Sequence, residues 1–236
     1  MKEYDNFINI PFKVENLDLY FQRKSILQAI TSSLPSFKGD LLDAGCGKMP
    51  YKKYILSNSK VKEYVGLDIE TAVVYDEQVQ PDVTWDGKTM PFPDNSFDCV
   101  FATEVLEHVP YPDTYLGEVY RVLKKDGVFF FTTPFLWPLH EVPYDEYRYT
   151  PFSMERILRK NRFVNLKVNA LGGWNASLGQ MIGLWVKRSP MSSRKKKILK
   201  MISLPILKYL YRYDNPNPDF YRSTMITGIY GIAYKK

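Results

Sequence analysis

The sequence predicts an α/β fold: a doubly wound, mostly parallel, seven-stranded sheet with a helical insertion before the last strand. Three observations predict it. Short apolar runs of strand length alternate with helix-period stretches. A Gly-rich turn joins the first such run to the helix that follows it. The chain has 236 residues, 45% of them apolar, which is long enough to bury a full core without cross-links.

The elements follow in order. Residues 15–34 read as an N-terminal helix, because Leu19, Ile26, Leu27 and Ile30 fall at helical spacing. Pro35 and Gly39 stop it. Strands are expected at 40–44, 63–68, 83–85, 97–102, 127–133, 163–168 and 225–234. The run at 97–102 is apolar apart from Asp98 and is expected at the sheet centre. Helices are expected at 52–56, 115–123 and 152–160, the last with Ser153 as its cap. Residues 171–222 interrupt the alternation. They read as a mostly helical, basic insertion within a single domain spanning 1–236.

Charge and cysteine usage narrow the class. The net charge is +6, yet 187–212 alone carries nine positive charges and no acid, leaving −3 on the rest. A basic segment on a mildly acidic body is unlike the footprint of a protein that grips nucleic acid along its whole surface. Cys46 and Cys99 are too few for a disulfide framework and read as small buried residues. With no apolar run behind a basic head in MKEYDNFINI, no secretory leader is expected. No uninterrupted apolar stretch is long enough to span a bilayer. A cytoplasmic protein is expected, with peripheral contact to the inner membrane face left open.

The first strand feeds the turn Asp43-Ala44-Gly45-Cys46-Gly47. Two glycines let the backbone bend sharply and approach a ligand. The acid before them would repel a pyrophosphate and attract an ammonium or sulfonium. Together with the missing third glycine, it argues against a nicotinamide dehydrogenase. Asp68 ends the second strand at the spacing of an acid that holds ribose hydroxyls. Each acid alone reads as structural; acids at successive strand ends do not.

With these residues in view, the chain resembles the class I S-adenosylmethionine-dependent methyltransferases, which have a Rossmann-like sheet. It looks like the bacterial type 11 subgroup. DAGCG at 43–47, VGLDI at 65–69 and WDGKTMPFPDNSFDCVFATEVLEHV at 85–109 carry the resemblance, which covers roughly 35–170 and the final strand. It implies that Asp43, Ala44, Gly45 and Gly47 cradle the methionine end of S-adenosylmethionine. Asp68 would hold the ribose, Ile69 would pack on the adenine, and Asp86 with the Gly87 backbone would take its amino group. Thr103, Glu104 and His108 would border the methionine moiety. Glu107 is expected in solvent, and His108 as a helix cap is the competing reading. Met49 stands where many members have a third glycine.

Methyl transfer is an in-line displacement, and positioning alone can supply about 7–11 kcal/mol. A general base adds typically 10²–10⁴-fold, most useful when the acceptor is a hydroxyl. In this fold the segment after the fifth strand overhangs the methyl group. It reads PFLWPLHEVPYDEYRYTP at 134–151 and resembles a pattern in methyltransferases that accompany polysaccharide enzymes. His140 is expected to be the base, oriented by Asp145, with Tyr144 and Arg148 holding the acceptor. The alternative is an Asp145–Arg148 ion pair that only locks the loop. No His or Cys pair has zinc-ligand spacing, so no metal centre is expected; acids near His140 could hold Mg²⁺ with substrate.

The expected function is therefore O-methylation of a sugar, a lipid-linked glycan or another small acceptor, producing S-adenosylhomocysteine. Methylation of tRNA and a non-catalytic cofactor-binding subunit are the alternatives. The basic run before the Pro205-broken apolar stretch admits three roles: an interfacial membrane segment at 187–212, an RNA contact, or a helix pair covering the acceptor pocket.

Overall fold

The computed structural model describes residues 5–70, 79–222 and 224–236. Residues 1–4, part of the segment weighed above for a leader, lie outside them. Strands β1 (Lys38–Ala44), β2 (Lys60–Ile69), β3 (Val83–Trp85), β4 (Phe97–Thr103), β5 (Leu123–Pro134), β6 (Val164–Leu171) and β7 (Gly228–Tyr234) form one sheet. Its order is β3-β2-β1-β4-β5-β7-β6. The helices are α1 (Asp5–Ile8), α2 (Tyr20–Ser33), α3 (Lys52–Asn58), α4 (Pro112–Val122), α5 (Pro151–Lys160), α6 (Trp174–Arg188) and α7 (Ser193–Arg212).

The chain folds as two compact units. One comprises Met1–Ile30, Phe135–Pro138 and Asn169–Ile229; the other comprises Thr31–Pro134, Leu139–Val168 and Tyr230–Lys236. The second unit holds most of the sheet. Strands β1, β2, β3, β4 and β5 pair in parallel. The last strand, β7, runs antiparallel to β5: the Asp126 N–H donates to the Lys235 carbonyl and the Lys235 N–H donates to the Gly127 carbonyl. Both faces are covered. Phe101 and Phe130 stack at 5.3 Å with Phe37 against them, while Phe129 packs on Phe131 and Phe163. Successive residues of β5 thus serve opposite faces, as pleating requires.

Local signals place the remaining elements. The first long helix begins at Tyr20 rather than 15, because a 3₁₀ turn at Val14–Asn16 takes the preceding residues. Helix α5 is capped by Thr150, not Ser153. The Thr150 hydroxyl accepts the Ser153 N–H, and the Ser153 hydroxyl accepts the Thr150 N–H, a reciprocal box. Pro151 follows at the first helical position, where a missing N–H costs nothing. The PFPD loop is clasped by Arg121. Its guanidinium donates to the Met90 and Phe92 carbonyls and to Asp94 and Glu118.

Residues 171–222, expected as an insertion, lie in the first unit. Its core is Leu17, Val186 and Leu207, with Phe12, Ile182, Leu199, Leu204 and Tyr211 packed on it. Pro205 does not break α7, which runs unbroken for 20 residues. Proline forfeits one backbone hydrogen bond there, and the apolar inner face holds the helix through it. Lys187 donates to the Glu15 carbonyl, Lys196 to the Lys187 carbonyl, and Arg188 pairs with Asp18 at 2.9 Å. No helix among the described residues is long and apolar enough to cross a membrane.

Candidate active site

The carboxyl ends of β1, β2, β3 and β4 lie side by side, and the sequence-expected cofactor residues gather there. Asp43, at the end of β1, is buried and accepts the Tyr64 hydroxyl at 2.5 Å. Burial raises its pKa to about 7, against the opposing bond from Tyr64. The turn after it is tight: the Gly45 and Cys46 N–H groups both donate to the Leu67 carbonyl. Gly45 has φ 98, and a Cβ there would lie 2.6 Å from Val105 Cγ2, so only glycine fits. Met49 also sits in the left-handed region, at φ 50. A methionine thus adopts a backbone conformation that usually favours glycine. Its sulfur lies against Gly66 of β2, where a Cβ would meet it at 2.6 Å.

Asp68 is organised by backbone. Its carboxylate accepts the Gly47 N–H at 2.8 Å and the Ile69 N–H at 2.9 Å. Burial raises its pKa. Beside it, Ile69 is exposed, and among the described residues a Cβ on Gly87 would come within 4 Å of Ile69 Cγ2 alone, at 3.8 Å. Ile69 is thus an apolar side chain beside the strand-end acids, of the kind on which a flat ring can pack. Asp86 is exposed and shapes the adjoining turn: its Oδ1 accepts the Lys88 and Thr89 N–H groups, which lowers its pKa. A buried carboxylate poised to ionise, a backbone-held acid and an apolar side chain fit a cationic nucleoside cofactor.

At the end of β4, Thr103 pairs with Thr132 of β5. Glu104 follows in the left-handed region, at φ 55. Its N–H donates to the Thr132 carbonyl, and its Oε1 accepts the Thr132 hydroxyl at 2.8 Å. Leu106–His108 is a 3₁₀ turn, not a helix. Glu107, expected in solvent, is fully buried, because the turn points its side chain inward. Neither carboxylate oxygen has a hydrogen-bond partner among the described residues. Burial, with the nearby Glu104, raises its pKa well above the carboxylate range.

The loop after β5 brings His140 beside His108, with ring centroids 4.7 Å apart. Asp145 joins both expected arrangements. Its carboxylate accepts His140 Nδ1 at 3.2 Å and two Arg148 nitrogens at 2.5 and 2.7 Å. Arg148 therefore locks the loop through the very acid that orients His140, and it holds the Asp145 carboxyl far below its ordinary range. Burial lowers the His140 pKa, as does the neighbouring His108. The Tyr144 ring is exposed, while its carbonyl faces His108 Nδ1 at 3.0 Å.

Carboxylates at the ends of parallel strands, an apolar side chain beside them and a polar loop over the next strand make up the site. Residues 42–131 match the family model described as a methyltransferase domain. A sterol 24-C-methyltransferase of Neurospora crassa is 51% identical over 47 residues, 20% of this chain and 12% of that protein. A fatty-acid O-methyltransferase of Mycolicibacterium smegmatis is 29% identical over 109 residues, 44% of this chain and 39% of that protein. The matches thus span well under half of these relatives. A crystal structure of an S-adenosylmethionine-dependent methyltransferase from Archaeoglobus fulgidus shares the fold. Its TM-score is 0.56 at 18% identity, covering 91% of this chain and 94% of that one.

Several contributors escape sequence reasoning. Tyr64 on Asp43, Thr132 on Glu104 and the Tyr115 hydroxyl on the Ala44 carbonyl at 2.8 Å all come from other strands or helices. Only the two threonines inside the apolar fifth strand were a visible anomaly. Both are buried, and Thr132 is the one that bonds Glu104.

Proposed function

We propose that the chain transfers the methyl group of S-adenosylmethionine to a hydroxyl of a small acceptor, a sugar or a lipid-linked glycan. The observation that carries this reading is the His140–Asp145–Arg148 chain. A hydroxyl is a poor nucleophile until its proton leaves, so an O-methyltransferase benefits from a neutral, oriented imidazole. A carboxylate only accepts hydrogen bonds, so His140 Nδ1 carries the ring proton and Nε2 keeps its lone pair. Arg148 keeps Asp145 ionised, which fixes that tautomer.

The bound cofactor supplies an electrophilic methyl on a sulfonium. Around it, Asp43 would meet the ammonium of the methionine end, with Ala44, Gly45 and Gly47 as the close backbone. Asp68 retains lone pairs for ribose hydroxyls beyond its two backbone bonds. Ile69 and Gly87 would flank the adenine, with Asp86 near its amino group, and Thr103, Glu104 and His108 would border the methionine side. His140 would take the acceptor's proton, while Tyr144 and Arg148 line the approach. The named relatives act on a sterol carbon and a fatty acid, which supports a small apolar or lipid-borne acceptor without selecting one.

Contact with an anionic membrane belongs to the same reading. Ile198, Met201, Ile202, Ile206 and Tyr209 are exposed at helical spacing on α7, with Tyr213 exposed at its C-cap, among lysines at 195, 197 and 200. An apolar stripe in a basic helix suits insertion at a head-group layer.

His140→Ala tests the catalytic assignment. It should leave S-adenosylhomocysteine affinity within about twofold and lower turnover by about 10²–10⁴-fold. Unchanged turnover removes His140 from the mechanism; lost cofactor binding by the wild-type chain removes the methyltransferase reading itself.

A further inference from the structure

We propose that Glu107, His108 and His140 form a binding site for a divalent transition-metal cation. One ligand atom from each residue lies within 4.8 Å of the others. The chain has only two histidines, 32 positions apart, and the fold sets both rings against one buried carboxylate.

The tautomers point the same way. His108 Nδ1 lies 3.0 Å from the Tyr144 carbonyl, and His140 Nδ1 lies 3.2 Å from Asp145 Oδ2. Carbonyls and carboxylates only accept, so both rings carry their proton on Nδ1 and present a bare Nε2. A carbonyl or carboxylate behind the distal nitrogen is the support that metal-ligating histidines have. His108 Nε2 faces Glu107 Oε1 at 3.8 Å and Glu141 Oε2 at 3.7 Å, so a second carboxylate stands at the rim. Arg148 grips Asp145 with two nitrogens and so makes the support behind His140 rigid.

Glu107 supplies the independent observation. Its side chain is 0% exposed, and neither oxygen is hydrogen-bonded among the described residues. An unsatisfied buried carboxylate is costly, and a cation is the partner that removes the cost. The fold presents it deliberately: the Glu107 carbonyl accepts the Glu146 and Tyr147 N–H groups, tying the histidine-bearing loop to the acid's own backbone.

Two imidazoles and a carboxylate suit Zn²⁺, Mn²⁺ or Fe²⁺ rather than Ca²⁺, and three protein ligands leave coordination open for a substrate oxygen. A bound cation would occupy His140 Nε2, so the role of His140 as base applies to the metal-free chain, and the cation would supply Lewis-acid polarisation of a bound oxygen instead. This inference rests on the cluster and not on the methyl-transfer reading.

The test uses the full chain without a histidine tag, stripped with EDTA and loaded separately with Zn²⁺ and Mn²⁺. After desalting, metal per chain is measured by mass spectrometry and thermal stability by calorimetry. Wild type should retain one ion per chain and melt at a higher temperature when loaded. Glu107→Gln and the double variant His108→Gln/His140→Gln should retain none, and Asp145→Asn should bind about 10–100-fold more weakly. Glu155→Gln, on an exposed helix face, should bind as wild type. If Glu107→Gln fails to fold, the histidine double variant decides. Absence of retained metal in wild type, or equal retention in the ligand variants, overturns the proposal. S-adenosylhomocysteine binding in EDTA, read on the same samples, reports separately on the cofactor site.

Discussion

Asp43 and Gly45 show how much one residue carries at the head of the site. Asp43 titrates near neutrality because burial penalises its charge more than Tyr64 relieves it. A cationic ligand favours the ionised form, so binding releases a proton when the pH is below about 7. S-adenosylhomocysteine affinity should therefore rise as pH climbs through about 7 and then level off. Calorimetry across that range should show the rise in wild type and a flat, weaker profile in Asp43→Asn; a parallel rise in the variant would discard Asp43 as the titrating group. The stability sign is opposite. A raised pKa favours folding below the unfolded value of 3.8, and that contribution is lost as pH rises through about 7. Gly45 is constrained by geometry instead. Gly45→Ala combines a left-handed φ of 98 with a Cβ 2.6 Å from Val105. It should cost about 1–3 kcal/mol of stability, measured by urea unfolding, and abolish measurable cofactor binding. Adding Val105→Ala should recover part of the stability but not the backbone strain.

At the scale of elements, the run at 85–109 is the most distinctive stretch in the chain, and its parts do different work: PFPD is a loop clasped by Arg121. The β4 strand and its following turn, in the same run, deliver Thr103, Glu104, Glu107 and His108. Helix α7 gives a direct test of propensity against packing. Pro205 is exposed and removes a backbone donor in a helix interior, so Pro205→Ala should raise stability by about 1–3 kcal/mol in thermal unfolding. A loss of stability would mean that proline bends α7 to fit Leu17 and Val186. The reciprocal cap of α5 shows the limit of pattern reading. Both residues were visible, but which one caps depends on where the preceding backbone stops being extended.

For the whole molecule, the uneven charge is the property with a consequence. Nine positive charges lie on 187–212 while the remainder is at −3. Three of the nine are tied down, Lys187 and Lys196 to carbonyls and Arg188 to Asp18. The proposed membrane contact would use the others, each worth about 1 kcal/mol near an anionic surface. Co-sedimentation with phosphatidylglycerol vesicles should fall as salt is raised above about 0.15 M. It should also fall in Lys195→Ala/Lys197→Ala/Lys200→Ala and in Met201→Glu/Ile202→Glu. Retention that ignores both salt and these changes would remove the membrane role.

The sequence by itself determined the sheet, the strand-end acids and the cofactor turn, because period, glycine placement and spacing act over a few residues. Strand boundaries moved by a few positions, since pairing across the sheet sets where a strand ends. The sequence also showed His140, Asp145 and Arg148 in one stiff loop. Only the tertiary structure decided what these residues meet. Glu107 reads as an exposed acid between Leu106 and His108, and nothing local says that a 3₁₀ turn buries it. His108 and His140 are separated by a helix and a strand, so no ligand spacing links them in sequence. Long-range packing of β4 against β5 brings them together, and burial then turns an ordinary carboxylate into one that needs a partner.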